Sequence, residues 1–117
     1  MQTTKKAAEM TERELASYID QSVLKPEFTV DDIKRYSQEG IDSGCKTICI
    51  TPASLEIVAP MVEGTATGIC VVCDFPFGLS TTASKVAQAT STSPATKSRI
   101  LTSLQTTVGC ALATLAT

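Results

Sequence analysis

The chain has 117 residues, a net charge of −2 and a pI near 5.0. This length predicts one domain at most, and the acidic balance excludes the basic patch that a nucleic-acid partner normally requires. His is absent, and the five Cys form an odd set without a signal peptide, which is typical of free thiols in a reducing, cytoplasmic compartment. The longest uncharged stretch, 100–117, is too weakly apolar to predict a membrane helix, so no membrane partner is expected.

The first elements are predicted from capping and stop signals. After residues 1–10, which we expect to be disordered, Thr11 to Glu14 forms a capping-box pattern that begins a short helix reaching about Tyr18. Val23 to Pro26 favours extended backbone, because a proline disfavours helix in the residue before it. Thr29 caps a second helix, and Gly44 is a plausible stop for it.

The following segments alternate between strand and helix. Cys45 to Ile50 and Gly68 to Cys73 are short apolar runs that predict buried strands. Ser54 begins a third helix that runs to about Val62, and residues 82–89 predict a fourth. This alternation indicates βαβ units around a parallel sheet, hence the α/β class.

Cys70 and Cys73 match a C-x-x-C pattern, but inside a strand. Residues three apart in a strand point to opposite faces, so the sulfurs should not converge. We therefore favour two core residues over a redox or metal pair. A zinc site has less support still, because His is absent and the other Cys spacings fit no common pattern. No cofactor and no metal is predicted.

Four other residues are candidates for a functional site. A carboxylate at a strand end, such as Asp20, is typical both of a barrel active site and of a solvated turn, and spacing does not decide between them. Cys49 is most simply a small core residue. Lys25 and Lys85 lie near loops that could face a site, but a free lysine is normally a solvated surface charge.

Three segments together resemble deoxyribose-phosphate aldolase. They are Tyr18-Ile-Asp-Gln-Ser-Val-Leu-Lys-Pro26, Ile48-Cys-Ile-Thr-Pro52, and Val72-Cys-Asp-Phe-Pro-Phe-Gly-Leu-Ser-Thr-Thr82 followed by Lys85. Their order and spacing are similar to the first three strands of that family, and the Phe-Pro-x-Gly loop is the most specific part. The resemblance covers about residues 11–90.

The resemblance implies a fold and a reaction. The fold would be the N-terminal fragment of a TIM (β/α)8 barrel, with about three βα units. The family is a class I aldolase that cleaves 2-deoxyribose 5-phosphate to acetaldehyde and glyceraldehyde 3-phosphate through a lysine Schiff base, without metal or cofactor. By resemblance Asp20 is a supporting carboxylate of the pocket, Cys49 lies near the substrate, and the intact form is a homo-oligomer. The Schiff-base lysine, expected on the sixth strand, has no counterpart here, so the chain has no catalytic residue of its own and is predicted inactive.

The composition changes near residue 90. All 12 acidic residues lie between Glu9 and Asp74, and the segment from Thr90 onward is rich in Ser and Thr. Read from the third base of each codon, degenerate codons for Leu101 to Thr114 can spell Asp-Ile-Val-Ala-Asn-Tyr-Gly-Trp-Leu-Arg-Ser-Gly-Asp, which resembles the family's fourth strand and the turn after it. We interpret 91–117 as an out-of-frame tail of low order, caused by an insertion or deletion around codons 86 to 95.

Two other classes of function stay open. The chain could be a small interaction or regulatory module that pairs with a full-length aldolase. It could also be a thiol redox protein that uses Cys70 and Cys73, which a depressed thiol pKa would favour.

Overall fold

The computed structural model describes residues 5–92 and, for the backbone alone, residues 100–106 and 109–113. These described residues form four α-helices and five strands, with single 3-10 turns at Ala7–Glu9 and Pro52–Ser54. The elements are α1 (Glu12–Ala16), β1 (Asp20–Val23), α2 (Val30–Ser43), β2 (Thr47–Ile50), α3 (Leu55–Val62), β3 (Gly68–Cys73), α4 (Thr82–Thr92), β4 (Ile100–Thr106) and β5 (Gly109–Ala113).

The strands form one sheet in chain order, β1-β2-β3-β4-β5. β1 to β4 run parallel, and β5 pairs antiparallel with β4. Helices α2, α3 and α4 each follow one of the first three strands, which confirms the predicted α/β class and its three βα units.

The local signals for helix ends are largely confirmed. The side chains of Thr11 and Thr29 accept backbone hydrogen bonds from Glu14 and Asp32, and each pair forms a reciprocal capping box. Gly44 ends α2 in the left-handed region at φ 80°, where glycine carries no side-chain penalty. The prediction that the first helix reaches Tyr18 is wrong by two residues.

The chain tightens after Ala16 instead of continuing as α-helix. The amides of Tyr18 and Ile19 donate to the carbonyls three residues earlier, at 3.1 Å and 2.9 Å, which is the pattern of a 3-10 turn. This turn delivers the backbone directly into β1, since the amide of Lys46 donates to the Ile19 carbonyl at 2.9 Å.

The apolar core lies on the face of the sheet that packs against α2 and α3. Ile48, Ile50, Ile69 and Val71 point to this face and are at most 1% exposed. Val58 of α3 is fully buried against them. Burial of side chains of this size contributes roughly 1.5–3 kcal/mol each, so this face supplies most of the stability of the three βα units.

The ends of the chain are described only in part. The prediction of disorder over 1–10 includes residues 1–4, which lie outside the described residues. The predicted division at residue 90, with an out-of-frame tail of low order over 91–117, stays a prediction. Within that tail, the backbone of 100–106 and 109–113 forms β4 and β5.

Gly40→Ala should destabilise the fold, although alanine is the better helix former. An added Cβ would meet Ile48 Cδ1 at 2.5 Å and the Gln21 side chain at 3.0 Å, and overpacking of this kind costs about 1–3 kcal/mol. We expect a lower urea midpoint for the full chain, with Ser43→Ala, an exposed change in the same helix, as the control. An equal or higher midpoint for Gly40→Ala would contradict the close packing of α2 on β1 and β2.

Candidate functional site

The strand register brings three polar side chains together on the face of the sheet opposite the main core. Asp20 is aligned with Thr47 across β1 and β2, and Cys49 is aligned with Cys70 across β2 and β3. Because side chains two apart in a strand share a face, Thr47 and Cys49 lie on the same side. The carboxylate of Asp20 and the sulfurs of Cys49 and Cys70 all lie within 4.8 Å of one another.

Burial differs sharply within this group, which we call the Asp20–Cys49–Cys70 cluster. Cys49 and Cys70 are 6% and 3% exposed, and they pack with Val72 and Leu24 in a small apolar cluster. Asp20 is exposed at its edge. The cluster therefore consists of two buried thiols and one charged group that is exposed to solvent.

The carboxylate is oriented by a neighbouring strand. The hydroxyl of Thr47, itself 4% exposed, donates to Asp20 Oδ1 at 2.6 Å. A buried donor of this kind fixes the orientation of the carboxylate. The role of Thr47 was not predicted from the sequence, because only the register shows which residue lies beside Asp20.

The surroundings of Cys49 favour its neutral thiol. Its hydrogen bond with Cys70, followed by burial and by the charge of Asp20, raises the pKa of the Cys49 thiol well above its ordinary value of 9.0. Each of these causes penalises the thiolate. Cys49 is thus protonated at neutral pH and is a poor nucleophile in this environment.

A second polar arrangement lies in the loop after β3. Asp74 has φ 54°, and its carboxylate accepts hydrogen bonds from the amide and the hydroxyl of Ser80, both at 2.8 Å. These two bonds, with a smaller contribution from the charge of Lys85, lower the pKa of Asp74. The loop 74–80 is thereby closed on itself at the carboxyl end of β3, and it includes the cis bond between Phe75 and Pro76.

The two candidate lysines, Lys25 and Lys85, differ in their surroundings. Lys25 is exposed, with Nζ 5.8 Å from the ring centroid of Phe28, so the expectation of a solvated surface charge is confirmed. Lys85 is half-buried in α4, close enough to Asp74 for its charge to act on that carboxylate. Neither lysine is among the groups whose interactions shift the pKa of Cys49.

Cys70 and Cys73 point to opposite faces of β3, as predicted. Cys70 lies in the cluster with Cys49, whereas the Cys73 sulfur donates to the Lys85 carbonyl at 3.4 Å. Both are buried and outside any disulfide, and burial raises the pKa of Cys73. The interpretation as core residues is confirmed. Cys70 also has another cysteine, Cys49, as its cross-strand neighbour, which was not predicted from the sequence.

Known proteins are similar to this chain over a large part of its length. A deoxyribose-phosphate aldolase from Rhodospirillum rubrum is 40% identical over 76 residues, which are 65% of this chain and 32% of the relative. One from Dictyoglomus turgidum is 38% identical over 79 residues, 68% of this chain and 36% of the relative. About two thirds of the chain is similar to deoxyribose-phosphate aldolases. The chain spans about a third of the length of these aldolases.

Solved aldolase structures agree with this similarity. The deoxyribose-phosphate aldolase from Aeropyrum pernix, described as tetrameric, superposes with a TM-score of 0.69 at 25% identity, covering 79% of this chain and 39% of that one. No family model matches the chain. Among the residues that the structure describes, no helix has both the length and the apolar character to cross a bilayer.

The neutral state of Cys49 predicts slow alkylation. Cys45 and Cys49 are both 6% exposed, so Cys45 is a control matched for burial. We expect iodoacetamide to modify Cys49 more slowly than Cys45 at pH near 8, as followed by peptide mass spectrometry, because only the thiolate reacts. Asp20→Asn, which removes the neighbouring charge, should speed modification of Cys49 several-fold. Faster alkylation of Cys49 than of Cys45 in the chain without substitutions would contradict this electrostatic account.

Proposed function

We propose that residues 11–90 supply the first βα units of a deoxyribose-phosphate aldolase. In the complete barrel, the enzyme would cleave 2-deoxyribose 5-phosphate to acetaldehyde and glyceraldehyde 3-phosphate through a lysine Schiff base. The similarity to curated aldolases supports the family. The observation that carries the site is the bond from Thr47 to Asp20, which holds a carboxylate on the sheet face opposite the helices.

The proposed roles follow from position on that face. A TIM barrel closes with the helix-free face of its sheet turned inward, so Asp20 and Cys49 would both face the barrel interior. The carboxylate of Asp20, an exposed residue, would accept or relay a proton, and the small neutral thiol of Cys49 would lie near the substrate. We assign no Schiff-base residue to this chain, because the lysine that would serve belongs to a later strand in the family pattern.

The chain by itself should not catalyse this cleavage. Eight strands and roughly 250 residues form such a barrel, whereas the described sheet has five strands, with β5 antiparallel. A parallel barrel cannot continue through an antiparallel strand at this position. The described residues would therefore supply only part of the active-site pocket. They provide an oriented carboxylate but no Schiff base to accept electrons during the cleavage.

The DNA across the codons for Lys85 to Thr117 tests the origin of this difference. We expect one or two bases to be added or lost relative to an intact reading frame, and the third bases of codons 101 to 114 to be those that spell the shifted fourth strand. If those bases differ, the frameshift hypothesis fails.

The purified chain should show no cleavage of 2-deoxyribose 5-phosphate, and measurable turnover would contradict the proposed inactivity.

A chimera tests whether residues 11–90 can form half of a working pocket. They would replace the matching part of the Rhodospirillum rubrum aldolase, with cleavage followed by a coupled assay for glyceraldehyde 3-phosphate. We expect an active chimera in which Asp20→Asn lowers kcat by about 10²-fold or more, the range typical of a proton-transfer group. Asp31→Asn, which removes an exposed carboxylate in the first turn of α2, is the control.

Two outcomes of that experiment would contradict the proposal. One is a chimera that folds, traps a Schiff base with borohydride and still fails to cleave the substrate. The other is an active chimera in which Asp20→Asn and Asp31→Asn have equal effects. The second outcome would leave the family relation intact but remove the role of Asp20.

We also propose a cytoplasmic location and a homo-oligomeric intact form. The absence of a disulfide among the described cysteines, Cys45, Cys49, Cys70 and Cys73, supports a reducing compartment. The tetrameric description of the Aeropyrum pernix aldolase supports an oligomer.

Pairing with a full-length aldolase is the alternative function, and exposed apolar side chains favour it. Phe77 and Leu79 in the loop after β3 are 73% and 70% exposed, and Val86 of α4 is also exposed. Exposed apolar surface of this kind often marks a binding site. Co-purification of the chain with a full-length aldolase would favour this alternative.

A further inference from the structure

The Asp20–Cys49–Cys70 cluster has the composition of a metal site. It combines two sulfurs and one carboxylate oxygen from three adjacent strands, all within 4.8 Å of one another. In a tetrahedral zinc site, sulfur lies about 2.3 Å and carboxylate oxygen about 2.0–2.2 Å from the ion, which places ligand atoms roughly 3.4–3.8 Å apart. The side chains therefore need to close by about 1 Å, a movement within the reach of side-chain rotation.

The donor types select the kind of ion. Thiolates are soft ligands that favour Zn²⁺ and related thiophilic cations over Mg²⁺ or Ca²⁺, which prefer oxygen. Sequence spacing gave no sign of such a set, because Asp20, Cys49 and Cys70 match no metal motif. Only the parallel register aligns Cys49 with Cys70.

The surroundings resemble those of a built site. Metal ligands are usually held by hydrogen bonds from a second layer of residues. Here the buried hydroxyl of Thr47 donates to Asp20 at 2.6 Å, and β2 supplies both Thr47 and Cys49 from the same face. Asp20 is exposed, so an ion can enter from solvent on that side.

We propose that Asp20, Cys49 and Cys70 bind one thiophilic divalent cation, with Zn²⁺ as the physiological candidate and a water molecule in the fourth position. Two metal–sulfur bonds and one metal–oxygen bond form, and the two thiol protons pass to solvent. No oxidant or reductant is needed. This inference uses residues of this chain alone and does not depend on the proposed aldolase activity.

Titration of the reduced full-length chain with Co²⁺ tests the site, because Co²⁺ replaces Zn²⁺ and reports its ligands by absorption. We expect one Co²⁺ per chain, sulfur-to-cobalt charge-transfer absorption and the visible bands of tetrahedral cobalt. Zn²⁺ should displace the Co²⁺ stoichiometrically. No charge-transfer absorption, or less than a tenth of an equivalent bound in chain that is folded by circular dichroism, would overturn the proposal.

Variants distinguish this cluster from the other thiols. Cys70→Ala should weaken Co²⁺ binding by 100-fold or more, by direct loss of a ligand. Cys73→Ala, a buried change on the opposite face of the same strand, and Cys110→Ala should leave binding unchanged. An equal loss of affinity in Cys73→Ala or Cys110→Ala would show adventitious thiol binding and overturn the proposal.

Two further variants test the proposed site in case Cys70→Ala does not fold. Asp20→Asn changes an exposed side chain, and Thr47→Val keeps the shape of its side chain while removing the donor. We expect Asp20→Asn to weaken Co²⁺ binding at least tenfold and Thr47→Val to weaken it about 10–100-fold, the range found for such supporting residues. Unchanged affinity in both would overturn the assigned ligand set. Failure of metal binding would leave the chimera assay unaffected, so the two proposals fail separately.

Discussion

The parallel register of β1, β2 and β3 is the constraint on which the rest of the structure depends. It pairs Asp20 with Thr47 and Cys49 with Cys70, and it places Ile48, Ile50, Ile69 and Val71 together beneath the helices. A slip of one residue would move every side chain of a strand to the other face. Burial of the isoleucines on one face of the sheet therefore constrains which side chains lie together on the other face. No alternative register buries the isoleucines and still aligns Cys49 with Cys70.

The helices enforce that register through close contacts as well as apolar burial. Gly40 lets α2 approach β1 and β2 so closely that an added methyl group would meet Ile48. The side chain of Gln21 also donates to the Tyr36 carbonyl of α2 at 3.3 Å. Since Gln21 adjoins Asp20 but points to the opposite face, the contact that anchors β1 to the helix also positions the carboxylate.

Much of the fold was predictable from local chemistry. The caps at Thr11 and Thr29, the stop at Gly44 and the apolar strand at Gly68–Cys73 are local signals, and the structure confirms each. The end of α1 was missed, because the tightened turn at Tyr18 and Ile19 depends on the pairing of Ile19 with Lys46, which is not local. The site was predictable only in part for the same reason. Asp20 and Cys49 received their site roles through family resemblance, whereas the contact of Thr47 with Asp20 and the pairing of Cys70 with Cys49 became visible only when the strands were paired.

The carboxylate of Asp20 is the group that the two proposals share, and it cannot serve both at once. As a proton-transfer group in a closed barrel, it needs a free oxygen. As a metal ligand, that oxygen would be bound and its charge neutralised by the cation. Thr47 would serve either use, because its hydroxyl holds one oxygen of the Asp20 carboxylate. A cation held by Cys49 and Cys70 would therefore inhibit the aldolase pocket. In a complete barrel, the metal-bound and catalytic states proposed for Asp20 would therefore be mutually exclusive.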